Sequence, residues 1–92
     1  MIRSYADRDT ERLAQGQRVR RFVNIERGAM RKLAMLDAAH VLGDLRAPPG
    51  NRLEALKGDR AGQHSIRVHD QYRICFTWKE DGAHDVKLTD YH

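Results

Sequence analysis

Apolar residues recur along this chain at two spacings, and the change from one to the other divides it near the middle. From about Asn24 to Ala39, Ile25, Ala29, Leu33 and Leu36 fall on one helical face while Arg27, Arg31 and Lys32 fall away from it. That spacing predicts the main helix. Gly28 sits early in it and costs about 1 kcal/mol relative to Ala, which points to close packing there or to a frayed first turn. Upstream, Ile2 to Tyr5 is a short extended candidate. Asp7 or Asp9 can cap a first helix that runs through Leu13 and Ala14 and stops at Gly16. Val41 to Leu45 adds a short turn, and Pro48-Pro49-Gly50 ends any helix.

Beyond the prolines the period becomes two. Arg52 to Leu56 alternates poorly but is bounded by turns, whereas Ser65 to Val68 and Tyr72 to Trp78 alternate cleanly. Glu80-Asp81-Gly82 is a turn signal, and Asp85-Val86-Lys87-Leu88 begins a last strand. Helices first and strands second indicate an α+β fold, with the N-terminal helix pair packed on one face of a mostly antiparallel sheet. Tyr72, Ile74, Phe76 and Trp78 then meet the helices, with Ile66 and Val68 beside them. Ser65, Arg67, Arg73, Cys75 and Thr77 take the open face. The tightest loop, His69-Asp70-Gln71, sets Arg67 directly opposite Arg73. Like charges so placed cost a sheet roughly 0.2–1 kcal/mol unless an anion or a carboxylate lies between them. Neutralising Asp or Glu partners, side chains splayed into water, and a phosphate clamp all remain open.

Composition narrows the classes. The chain has 92 residues, 40% hydrophobic and 33% charged, which suits one compact domain over residues 1–92 with a single core. Cys75 is the one cysteine, so no internal disulfide is available. The start Met-Ile-Arg-Ser-Tyr-Ala-Asp lacks the apolar run of a signal peptide, and no window approaches the roughly 18 apolar residues of a membrane span. A cytoplasmic protein with no membrane association is expected. His40, His64, His69 and His84 show no metal-ligand spacing, and neither a metal nor a cofactor is expected. Lys57 to Gly62 is a turn with two cations and two glycines but without the spacing of a phosphate-binding loop. Thr89-Asp90-Tyr91-His92 presents an acid, a phenol and an imidazole directly after a strand.

Joined in order, Arg52-Leu53-Glu54-Ala55-Leu56-Lys57-Gly58-Asp59-Arg60-Ala61-Gly62, Ser65-Ile66-Arg67-Val68, Asp70-Gln71-Tyr72-Arg73-Ile74-Cys75-Phe76 and Asp90-Tyr91-His92 resemble the HigB toxins of the RelE superfamily. The helix Lys32-Leu33-Ala34-Met35-Leu36-Asp37-Ala38-Ala39 and the stretch Pro48-Pro49-Gly50-Asn51-Arg52-Leu53-Glu54 resemble the GraT branch. The resemblance implies a compact RelE-like fold. It also implies a toxin of a type II toxin–antitoxin pair that cleaves messenger RNA in the decoding site of the ribosome without a metal. Its partners would be the ribosome, messenger RNA and a helix-turn-helix antitoxin of the HigA or GraA kind, with DNA reached only through that antitoxin. Lys57, Arg73, Asp90, Tyr91 and His92 match positions implicated in activity in the family, and Arg67 and Arg60 are additional cations. Glu54 stands where some HigB proteins have histidine.

RNA cleaves itself when its 2′-hydroxyl loses a proton and attacks in line, while the phosphorane charge is stabilised and the leaving oxygen is protonated. The expectation is that Arg73, Lys57 and Arg67 hold the phosphate, His92 protonates the leaving group, Asp90 or Glu54 takes the 2′ proton, and Tyr91 stacks on a base or orients the ribose. The competing class is a non-catalytic basic module that binds RNA, ribosome or antitoxin and blocks translation without cutting. The formal charge of +4 does not decide between them. Residues 1–47 hold 10 Lys and Arg against 6 Asp and Glu, and residues 48–92 hold 7 against 7. The half expected to carry the chemistry is neutral overall.

Overall fold

The structure is a computed structural model in which residues 1–91 are described. Two helices, α1 (Arg8–Ala14) and α2 (Glu26–Ala38), precede four strands, β1 (Glu54–Ala55), β2 (His64–Arg67), β3 (Tyr72–Lys79) and β4 (Gly82–Asp90). The strands form one antiparallel sheet in the order β1-β2-β3-β4. Asp7 caps α1, its carboxylate accepting from the Thr10 amide at 3.0 Å, and Asp9 instead pairs with Arg21.

The expected helix from Asn24 begins differently. Arg20–Ile25 is a 3₁₀ turn, and the α-helical geometry starts at Glu26. Phe22 and Ile25 are both buried, and a three-residue repeat is the period at which a 3₁₀ turn places side chains on one side. Gly28 therefore lies in the first turn of α2, where it costs little. A Cβ there would stand 3.7 Å from Val68 Cγ1, an ordinary contact.

β1 is shorter than the expected Arg52–Leu56 because Arg52 takes a left-handed φ of 46° after the turn Pro49–Asn51. The chain enters the sheet only from Glu54. Asn51, fully buried, holds that bend by donating its side-chain amide to the Leu45 and Ala47 carbonyls at 3.1 and 3.2 Å, while its side-chain oxygen accepts from Lys32 Nζ. Burial, and then the nearby Arg31 charge, push the Lys32 pKa down.

β4 starts at Gly82 rather than Asp85 and is bulged. Cys75 faces Lys87 but Thr77 faces His84, so β4 carries one extra residue, accommodated at Asp85 with φ 53°. The bulge lets Ala83, Val86 and Leu88, which strict alternation would not put together, all enter the core. Leu13 of α1 and Ala29, Leu33 and Leu36 of α2 join them there with Phe22, Leu45, Ile66, Ile74 and Phe76. The outer edge of β4 is also occupied. Ile2 and Tyr5 bridge to Ala83 and Val86 in parallel, and the Leu88 amide donates to the buried Thr10 hydroxyl at 3.0 Å.

Candidate functional site

Alternation along β2 and β3 sets Ser65, Arg67, Arg73 and Cys75 on the side away from the core. The register brings Glu54 (opposite Ser65), Lys87 (opposite Cys75) and Thr89 (opposite Arg73) to the same side. The sequence predicts a solvated face. Its centre is not solvated: Ser65 is 0% and Cys75 1% exposed. The chain past β1 accounts for this, because its turn Gly58–Arg60 carries Arg60 over the strands, where Nη1 donates to Cys75 Sγ at 3.2 Å. From the opposite direction Tyr91 reaches back until its hydroxyl lies 3.5 Å from the same sulfur and its ring 6.0 Å from the Arg60 guanidinium. The Tyr91 amide donates to the Gln71 carbonyl at 2.5 Å and ties that residue to the loop before β3. Burial raises the Tyr91 pKa, and the contact with Cys75 adds to the rise, against the opposing charges of Arg60 and Arg73. The phenol is a neutral hydrogen-bonding group throughout the neutral range.

Arg67 and Arg73 face each other in the expected register, and the conflict is resolved unequally. Arg67 turns to Asp70 three residues on, whose carboxylate is 89% exposed. Arg73 turns inward: Nε donates to Ser65 Oγ at 2.7 Å and Nη2 to the Arg52 carbonyl at 2.6 Å. Neutral oxygens orient this guanidinium without cancelling its charge, and no ion pair among the described residues includes it. An oriented cation that keeps its charge is the group a phosphate requires. Neutralising partners therefore account for Arg67 alone.

The remaining sequence-predicted residues divide. Glu54 is exposed on the cation-bearing face, two strands from Arg73, which is about 10 Å between backbones. Lys57 is exposed at the head of the turn that carries Arg60. Asp90 pairs with Tyr72, so alternation sets it on the opposite side of the sheet from Thr89 and Arg73. The structure thus brings Glu54, Arg60, Arg67, Arg73 and Tyr91 to one side and leaves Asp90 off it. His92 lies outside the described residues. Sequence reasoning missed what holds the site. Ser65 was legible as a neighbour from the period of two, whereas the Arg52 carbonyl arrives through a left-handed bend that has no pattern signal. Among the described residues, no three His, Cys, Asp or Glu side chains are grouped so as to hold a metal ion, and no helix is long and apolar enough to cross a membrane.

Comparison with known proteins adds to the geometry. Residues 1–92 match the family described as the RelE-like toxin of the type II toxin–antitoxin system HigB. The chain is 42% identical over 90 residues to Toxin HigB-1 of Vibrio cholerae serotype O1, covering 96% of this chain and 95% of that protein. It is 36% identical over 61 residues to Endoribonuclease HigB of Proteus vulgaris, covering 66% of this chain and 65% of the relative. An uncharacterized protein of Haemophilus influenzae is 35% identical over 65 residues, 71% of this chain and 64% of that protein.

Proposed function

The chain belongs to the HigB-like toxin family of type II toxin–antitoxin systems, and on that premise we propose that it is an endoribonuclease that cleaves messenger RNA in the decoding site of the ribosome without a metal. The observation that carries the reading is the Arg73 guanidinium, oriented by Ser65 and the Arg52 carbonyl and in no ion pair among the described residues, beside Arg60 and Tyr91 on one side of the sheet. In this reading Arg73 holds the scissile phosphate and Lys57 adds charge as the phosphorane forms. Arg67 contributes less because Asp70 competes for it. Glu54, on the same side as Arg73, takes the 2′ proton in preference to Asp90. An exposed carboxylate is a weak base at neutral pH, and this is the step for which the ribosome supplies alignment. His92, by its match to the family, protonates the 5′ leaving oxygen, and Tyr91 stacks on a base or orients the ribose.

Membership of a toxin–antitoxin family brings an antitoxin partner. Its helix-turn-helix character, a placement in the GraT branch and action in the cytoplasm are part of this proposal. Mapping 5′ ends of transcripts in a translating extract tests it. The toxin should create codon-phased ends and Arg73→Ala should abolish them, by at least about 100-fold if the arginine stabilises the transition state. Arrested translation without new ends would instead identify a non-catalytic block.

A further inference from the structure

Around the β1 edge from the cation-bearing side lies a groove of about 680 Å³ whose walls include Leu42, Arg46, Arg52, Leu53, Glu54 and His64. None of the chemistry assigned above uses it, apart from the rim at Glu54. Its arginines, Arg46 and Arg52, enter no ion pair among the described residues, so their charge is available to an occupant. The His64 ring stacks on Phe76 with centroids 6.4 Å apart, and its Nδ1 is buried with no hydrogen-bond partner among the described residues. That nitrogen is closed to solvent, so His64 lines the groove through its other atoms.

The groove and the cation-bearing side are also continuous. Arg52 lines the groove and its carbonyl accepts from Arg73, so one residue, with a left-handed φ of 46°, borders both. Glu54 borders the groove and faces Ser65 in the sheet. A polyanion seated on Arg73 therefore meets this groove as it crosses the β1 edge.

The cations and the apolar residues of the lining match one chemistry, with Glu54 at the rim. A nucleotide offers phosphate oxygens to the two arginines and an apolar base face to Leu42 and Leu53. An acidic peptide would not account for the continuity of the groove with the side that bears Arg73. We propose that the groove binds a nucleotide of the RNA strand next to the one held on Arg73, as a flanking subsite that contributes to which sequence is cut. This inference rests on the RNA-cleaving reading and names a second contact for that substrate.

The test uses the whole toxin in the translating extract, with Arg46→Glu as the probe because Arg46 is exposed and outside the core. We expect KM for the ribosome-bound message to rise about tenfold with kcat within about twofold, and Arg46→Lys to stay within about threefold of wild type in KM. In the 5′-end maps the preference at the nucleotide flanking the cut should flatten while codon phasing persists. Wild-type KM and an unchanged flanking preference in Arg46→Glu would overturn the subsite. So would unchanged cleavage with lost antitoxin affinity, which would give the groove to a protein. Failure of the underlying reading is separately visible, because the wild-type toxin would then make no new ends at all, and the subsite would fall with it.

Discussion

Phe76 and Cys75 are neighbours on β3, exposed to 0% and 1%, and they reach that burial by opposite means. Phe76 points into a core filled from two helices and three strands. Cys75 points the other way and is covered by one guanidinium and one phenol. The first arrangement is a layer many side chains deep. The second is a roof one side chain thick, made of the groups to which the proposed function gives RNA contacts. Equal burial therefore hides unequal commitment. The helix side supplies stability, and the other side keeps polar groups oriented at little structural expense.

The largest expected effect tests that inequality directly. Phe76→Ala should cost about 3–5 kcal/mol, a large share of the 5–15 kcal/mol typical of a domain. Cys75→Ala should cost only about 1 kcal/mol, the scale of one hydrogen bond. Denaturant unfolding of both variants would decide it, and equal losses would break the comparison. A second experiment asks whether the polar side is oriented rather than merely charged. Arg73→Lys keeps the charge but cannot reproduce the paired bonds to Ser65 and Arg52, so cleavage should fall at least about tenfold with unfolding unchanged. Near wild-type cleavage would show that charge alone suffices.

The smallest effect concerns the roof. Because burial and the Cys75 contact raise the Tyr91 pKa, the protonated phenol favours the folded state. That contribution is fully present below the ordinary tyrosine value of about 10 and is lost as pH rises through the elevated one. Residue-resolved NMR titration of the tyrosine rings should find Tyr91 ionising late, and Cys75→Ala should bring it earlier. No change on removing the sulfur would mean that the two groups are adjacent without being coupled.

Much of this was readable in the residues, and the gaps have physical causes. Alternation in Ser65 to Val68 and Tyr72 to Trp78 identified both faces, and a three-residue loop was enough to place Arg67 opposite Arg73. A cap at Asp7 or Asp9 was legible because its chemistry is local, and the structure uses Asp7. The extra residue at Asp85 was not legible, since a bulge leaves the local pattern intact and shows only in the partner's register. The burial of Cys75 was hidden for a related reason. What covers it comes from 15 and 16 residues away, and period two describes which way a side chain points rather than what later arrives above it. Site residues on the sheet were found together because strands fix their side. Asp90 was grouped with Tyr91 by adjacency, but in a strand adjacency means opposite sides.

The Met1 backbone lies so close to Gly82 that a Cβ there would stand 2.0 Å from the Met1 carbonyl oxygen, and the amides of Ala83 and Val86 bond to Met1 and Ser4. The segment from Ile2 to Tyr5 thus finds its sheet partners only in β4, which is translated after it and after β1, β2 and β3. Until β4 has left the ribosome that makes it, the leading segment has nothing to pair with, Thr10 has no Leu88 amide to receive, and the sulfur of Cys75 has no phenol above it. For a toxin that acts on the ribosome, as proposed above, this order of assembly withholds the finished surface from the machine that is still producing it.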